Sequence, residues 1–363
     1  MLFTVVLHKR ALSHDRITIH RTKGLSGLNI EKVEQFYTLL NQSASLIQQD
    51  LDGTFIEGLV ETGENIVDEG KVHVEDGLPG PETVEQLTKL YQSMDWMSLT
   101  PEEKKQVVQL ALIKAAKEDL LQPNHQPTPD AIGVLVAMMI ELFFEGKQSL
   151  HLTDLSVGTG NLLFTIYTSL VSRDKSLTLT GVDNDDSLIA LASTFSALLG
   201  IPIELQLQDS LQALLINPAD IMVMDLPIGY YPKPIDQESF QTSFEEGHSF
   251  SHYLLIEQSI NYMKDGGFGF YLLPTSTFEA EEVKSLLSYV QKVGHVQGII
   301  HLPSEWFKNE QSKKSIFIVQ KKSENSKQAQ EVLIANAPLS SDKEAYHKFI
   351  ADIRHWKTEQ GII

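Results

Sequence analysis

Three acidic residues close three apolar runs in succession: Asp154 in "LHLTDLS", Asp183 in "TGVDND" and Asp209 in "LQDS". A glycine loop, "VGTGNLL", follows the first and opens a helical pattern. A carboxylate at the end of the first strand suits a cationic ligand group and repels a pyrophosphate. Gly158 and Gly160 let backbone approach a ligand with no side chain in the way. An acid at the next strand end, here Asp183, accepts both hydroxyls of a ribose. Asp209, ending the third strand, is placed to accept a hydrogen bond from an adenine amine. Any one of these acids is as well explained by helix capping or turn formation; the three in order, with the glycine loop, point to a bound nucleoside. The loop reads G-x-G-x-x-L, and Leu163 in place of the third glycine argues against a nicotinamide dinucleotide. A fourth strand-ending acid, Asp225, opens "DLPIGYYP", residues 225–232, which reads either as a simple turn or as an altered catalytic motif.

These residues need a scaffold that brings strand ends together. Residues 1–28 carry five basic residues and one acidic, have weak periodicity, and read as an extension with one short strand. From Asn29 to Gln122 the pattern is helical and acidic. "IEKVEQFYTLL" places Val33, Phe36, Leu39 and Leu40 on one face. Pro81 stands at a helix start, and Thr100 followed by Pro101 reads as a cap and first helical position. The three-proline linker "QPNHQPTPD" leads into an apolar helix over 130–144. Beyond it, strands alternate with helices: strands end at Asp154, Asp183, Asp209 and Asp225, with a short helix expected near 210–215. "GFGFYLLP", "VQGIIHLP" and "KSIFIVQKK" complete seven strands, the last two an antiparallel pair at one edge. The fold class is therefore α/β: a doubly wound, mostly parallel seven-stranded sheet over 123–363, preceded by the helical domain 29–122.

Composition narrows the function. Hydrophobic content of 42% and charged content of 21% are ordinary for a globular protein. No apolar run approaches the roughly 18 residues of a membrane helix, and "MLFTVV" is too short for a signal core, so a cytoplasmic location is the default expectation. With no cysteine there are no disulfides, zinc-thiolate sites or cysteine nucleophiles, and no metal site is expected. A net charge of −19, with basic excess only in residues 1–28, opposes unaided binding to a nucleic-acid backbone.

In this order, "DLSVGTGNLL", "GVDND", "QDS" and "DLPIGYYP" resemble class I S-adenosylmethionine-dependent methyltransferases of the adenine-specific DNA type. Within that family the chain is similar to type I modification subunits, and above all to their stand-alone YtxK-like branch in Gram-positive bacteria. "HQPTPDAIGVL" resembles the short motif that precedes the core in that group, and the resemblance spans about residues 29–340. It implies S-adenosylmethionine as cofactor, with Asp154, Gly158, Thr159, Gly160 and Asn161 forming the cofactor loop. Asp183 and Asn184 would hold the ribose, Asp209 and Ser210 the adenine, and Thr128 and Pro129 would close the methionine side.

Asp225, Leu226, Pro227 and Ile228 would take the place of the catalytic tetrapeptide. In the family pattern an Asn, Asp or Ser is followed by two prolines and an aromatic ring that stacks on the extruded base. Asp225 and the Leu226 carbonyl would accept the protons of the target amine, but Leu226 replaces a proline and Ile228 the ring. Tyr230 and Tyr231 are the candidate replacements on the substrate side. His248 and His252 read as structural residues beside a helix capped by Ser249 or Ser251. "KNEQSKKSIFIVQKK" holds five lysines and one acid and reads as a solvated edge strand. The implied substrate is N6 of adenine in DNA, reached with a partner subunit; the alternative is a non-DNA amine or amide, or a non-catalytic interaction module. The acidic helical domain suits protein contact.

Overall fold

The computed structural model describes residues 5–7, 17–19, 29–235, 239–244 and 247–362. Contacts divide the chain into two units, residues 1–122 with 190–201, and residues 123–189 with 202–363.

In the first unit, β1 (Val5–Leu7) and β2 (Ile17–Ile19) pair antiparallel, so the described residues among 1–28 form two short strands where one was expected. The rest of that expected extension falls outside the described residues. Four helices follow: α1 (Ile30–Leu51), α2 (Phe55–Val67), α3 (Pro81–Gln92) and α4 (Pro101–Glu118). Their starts are locally encoded. Thr54 with Glu57, and Thr100 with Glu103, form reciprocal capping boxes, and Pro81 and Pro101 take first helical positions. All four orphan donors at the start of α2 are satisfied. Glu57 and Thr54 exchange bonds, while the N–H groups of Phe55 and Ile56 reach the Asp119 carboxylate at 3.0 and 2.8 Å. Val33, Phe36 and Leu40 are buried as the pattern predicts; Leu39 is only half-buried. Residues 190–201 belong to this core: Trp96 Nε1 donates to the Leu198 carbonyl at 2.9 Å, and a Cβ on Gly63 would lie 2.1 Å from Thr194 Cγ2.

The second unit is built on β3 (Ser149–Asp154), β4 (Ser176–Asp183), β5 (Glu204–Leu207), β6 (Ala219–Asp225), β7 (Met263–Pro274), β8 (Gly294–His301), β9 (Lys314–Lys321) and β10 (Leu333–Asn336). Their order is β10-β8-β9-β7-β6-β3-β4-β5, an eight-stranded sheet where seven strands were expected. The additional strand, β10, pairs parallel with β8 and forms the edge. Its four residues are too short a run to stand out in sequence. β8 and β9 are antiparallel, as expected, but β9 is not an edge strand: it lies between β7 and β8, antiparallel to both, and Ser315 to Gln320 are buried. The lysine-flanked run is thus interior strand with basic ends. The helix expected near 210–215 is also absent, those residues forming a turn and irregular chain.

Helices α5 (Asp130–Phe143), α6 (Asn161–Val171), α8 (Ser251–Asn261), α9 (Val283–Val293) and α10 (Lys343–Gln360) belong to this unit, and α7 (Asp186–Leu199) connects β4 to β5. Alternation along β7 shows how both sheet faces are covered. Phe268 and Phe270 meet Phe143 of α5 edge-on at 5.0 and 5.8 Å, whereas Tyr271 and Leu273 join a core with Leu254 of α8 and Leu286 of α9. Each such buried side chain contributes about 1.5–3 kcal/mol. No helix among the described residues is long and apolar enough to cross a membrane.

Candidate active site

Strand order fixes where the site must be. From β3 the chain runs outward through β4 and β5, then returns to add β6 and β7 on the other side of β3. Such a reversal opens a crevice at the carboxyl ends of β3 and β6, where loops diverge. Asp154 ends β3, Asp183 ends β4 and Asp225 ends β6. Two adjoining pockets lie there, sharing Gly158, Ser156 and Asp225.

The glycine loop has the conformation its residues allow. Gly158 has φ +51° and nothing within 4 Å of a would-be Cβ, leaving backbone open toward a ligand. Gly160, at φ +76°, caps α6; a Cβ there would lie 2.7 Å from the Phe164 ring. Asp183 fastens the loop, its Oδ2 accepting from Gly158 N at 2.7 Å and its Oδ1 from Asp185 N at 3.1 Å. Asp154 is almost wholly buried, and the donors it meets, Ser156 N and Oγ, both go to Oδ1. Burial, aided by the charges of Asp183 and Asp225, pushes the Asp154 carboxyl well above the usual carboxylate range, against the Ser156 bonds. Burial raises Asp183 as well. Thr159 is buried in the loop, and Asn184 lines the larger pocket beside Asp183.

Asn161 and Thr128 link the proline-rich segment to this loop. Asn161 Nδ2 donates to the Thr128 carbonyl at 2.7 Å and to Asp130 Oδ1 at 3.0 Å. Thr128 Oγ1 in turn donates to Asp225 Oδ2 at 3.0 Å. Pro129 caps α5 and is not among the pocket's lining residues.

Asp209 is already engaged. Its Oδ2 accepts from the Tyr231 hydroxyl at 2.6 Å and from Lys233 Nζ at 2.8 Å. Burial alone would raise its carboxyl; these two donors outweigh burial and hold it below the usual range. The Ser210 hydroxyl is turned to the Leu155 carbonyl at 2.6 Å.

Around Asp225 the structure explains both departures in the tetrapeptide. The Leu226 side chain is buried in the core, and its N–H donates to the Leu272 carbonyl at 3.3 Å, a bond no proline could make. Ile228 packs against that core. Its backbone N–H and carbonyl are both held by the Asn124 side chain, at 3.1 and 2.9 Å. Tyr230 and Tyr231 diverge: Tyr231 is buried against Asp209, while Tyr230 is 62% exposed and stacks on Phe250 at 4.8 Å. Neither Ser249 nor Ser251 caps α8; the cap residue is Phe250. Residues 249–251 pair with 229–231 through Tyr231 N to Ser249 O and Ser251 N to Gly229 O, which holds Phe250 extended and puts it, rather than a serine, at the cap. His252 is buried and burial depresses its ring to about 4, whereas His248 is exposed.

Two functional candidates escaped the sequence reading. Asn124 is one. Lys314 is the other: its ammonium contacts Asp225 Oδ1 directly. Lys314 begins β9, and an antiparallel strand delivers its first residue to the carboxyl edge of its parallel neighbours. Asp225 faces Leu272 across β6–β7, and Leu272 faces Ile316 across β7–β9. Lys314, two residues from Ile316, shares their face. In the helical unit, ligand atoms of Glu61, Glu64 and His73 lie within 4.8 Å of one another, but His73 is bonded to Asp68 and both glutamates are at least partly exposed.

The donor set fits a cationic nucleoside cofactor: a buried carboxylate needing a counter-charge, an open glycine backbone, and a strand-end acid beyond it. Sheet order and site together define a class I S-adenosylmethionine-dependent methyltransferase fold. The chain belongs to the N-6 DNA methylase family, whose model matches residues 125–356, and residues 34–116 match the YtxK N-terminal helical domain. The YtxK protein of Bacillus subtilis strain 168 is 36% identical over 326 residues, 90% of this chain and 98% of that one. A structure from Listeria monocytogenes, solved as a candidate class I S-adenosylmethionine-dependent methyltransferase, is 36% identical with a TM-score of 0.81, covering 90% of this chain and 99% of that one. A type I restriction-modification methyltransferase subunit from Streptococcus thermophilus shares the fold at 17% identity and TM-score 0.56, covering 80% and 66%.

Proposed function

We propose that the protein transfers a methyl group from S-adenosylmethionine to an exocyclic amine, N6 of adenine in DNA, with a partner protein supplying most contacts to the DNA. The observation that supports this best is Asp225, a carboxylate at a strand end that shares its pocket with Asp154 and Gly158. Asp154 would face the cofactor's amino group, Asp183 its ribose, and Asp209 its adenine, the last shared with Tyr231 or gained by displacing Lys233. The cofactor supplies an electrophilic methyl group on a sulfonium.

The protein's own part is to make a poor nucleophile competent. The lone pair of an exocyclic amine is delocalised into its ring. Asp225 and the Leu226 carbonyl accept the amine protons, drawing the nitrogen toward tetrahedral geometry and stabilising positive charge as it develops. Thr128 and Lys314 aim the carboxylate. Pro227 and the Asn124 clasp on Ile228 stiffen the backbone that follows. Tyr230 offers an exposed ring for base stacking, which Ile228 cannot.

Leu226 and Ile228 also favour a second reading, in which the acceptor is an amine or amide of a protein or the fold serves only as an interaction module. Tritiated S-adenosylmethionine distinguishes them. Label entering DNA adenine, with Asp225→Ala lowering transfer at least about 100-fold while cofactor binding by calorimetry persists, supports the first. Label confined to protein selects the second, and cofactor binding without transfer to any acceptor selects the module.

A further inference from the structure

The ion pair between Lys314 and Asp225 is unexpected for a site that must favour positive charge on a substrate nitrogen. Neither side chain is fully exposed, at 29% and 17% of its surface, so the pair is not simply screened by solvent. The two carboxylate oxygens are divided between partners, Oδ1 facing Lys314 and Oδ2 taking the Thr128 hydroxyl. Each oxygen keeps a second lone pair for a substrate proton.

We propose that Lys314 is a positioning residue that cancels the charge of Asp225 while leaving its hydrogen-bond acceptors in place. The inference rests on the methyl-transfer reading. In that reaction the nitrogen lone pair forms the N–C bond as the C–S bonding pair returns to sulfur. One unit of positive charge passes from sulfur to nitrogen, and a proton then leaves the nitrogen for solvent. An uncompensated carboxylate attracts the charge on sulfur before transfer as well as the charge reaching nitrogen during it, and the part of that attraction common to both states does not lower the barrier. Directed acceptors act differently, because their bonds strengthen as the nitrogen becomes tetrahedral. The pair retains the second effect without the first. It also spares the site a third uncompensated carboxylate beside Asp154 and Asp183, the nearness of these acids already being felt by Asp154.

The ratio of affinities for S-adenosylmethionine and S-adenosylhomocysteine reads this charge without requiring turnover, since the two differ in a sulfonium and a neutral thioether. Calorimetry on the full chain should give Lys314→Met a ratio shifted about tenfold toward S-adenosylmethionine, the size expected for one unit charge several ångströms away at intermediate dielectric. Asp225→Asn should shift it about tenfold the other way. The double variant and Lys314→Arg should both return to the wild-type ratio. Binding of S-adenosylhomocysteine verifies that each variant is folded. A ratio unchanged in both single variants overturns the proposal and leaves the methyltransferase reading standing. A wild-type chain that binds neither ligand overturns that reading and the proposal with it.

Discussion

Asp154 is the residue at which the charge of a bound cofactor would be felt most directly. It is buried, the Ser156 donors crowd one oxygen, and its carboxyl is held above the ordinary range by burial and by Asp183 and Asp225. A raised acid takes up its proton at higher pH than a free carboxylate, and the protonated form no longer offers a cation its charge. Affinity for S-adenosylmethionine should therefore fall as pH is lowered while a free aspartate is still ionised. Asp154→Asn should weaken binding at the upper end and flatten the dependence, as measured by calorimetry; an equal slope in the variant would remove Asp154 from the role. Asp154, Asp183 and Asp225 were legible because each is a strand end, a position that sequence shows directly; the third strand was expected to run to Asp209, but β5 stops at Leu207 and Asp209 lies two residues beyond it. Lys314 and Asn124 were not legible. Their partners stand 89 and 104 residues away along the chain, and no local signal marks a side chain whose importance is created by strand order.

Elements differ in how much of their geometry is local. The start of α4 was visible as Thr100 followed by Pro101, and that of α3 as Pro81, because a cap and a first helical position are set within one turn. The chain near 210–215 and the start of α8 were misjudged because their backbones are committed elsewhere, to Gln258 and Tyr262 in the first case and to residues 229–231 in the second. The glycine loop lies between these extremes. Both glycines were read as one device, but only Gly160 is sterically closed. Gly160→Ala should cost about 1–3 kcal/mol in thermal or denaturant unfolding and reduce cofactor affinity, because Phe164 or the loop must move. Gly158→Ala should cost less in stability, since no atom lies within 4 Å of the new methyl group. Equal losses at the two positions would contradict that distinction.

For the whole molecule the dominant quantity is a net charge of −19. DNA binding draws most of its free energy from phosphate neutralisation and counterion release. Three of the five lysines that offered a basic face are paired with carboxylates within the fold, Lys313 with Glu310, Lys314 with Asp225 and Lys321 with Asp265, and Lys322 is held by backbone carbonyls. Duplex DNA should accordingly bind more weakly than about 10 µM at physiological salt in a gel-shift or anisotropy titration, and a partner should be needed to tighten it. Sub-micromolar binding by the isolated chain would overturn that expectation. One feature of the sheet also has a temporal side. β9 enters between β7 and β8 only after both have been synthesised, and it brings Lys314 with it. A ribosome-bound chain that has emerged only as far as β8 therefore has Asp154, Asp183 and Asp225 but not the ammonium that pairs with Asp225. The charge arrangement of the site is completed last, by the same step that closes the middle of the sheet, so a half-made sheet cannot carry a finished site.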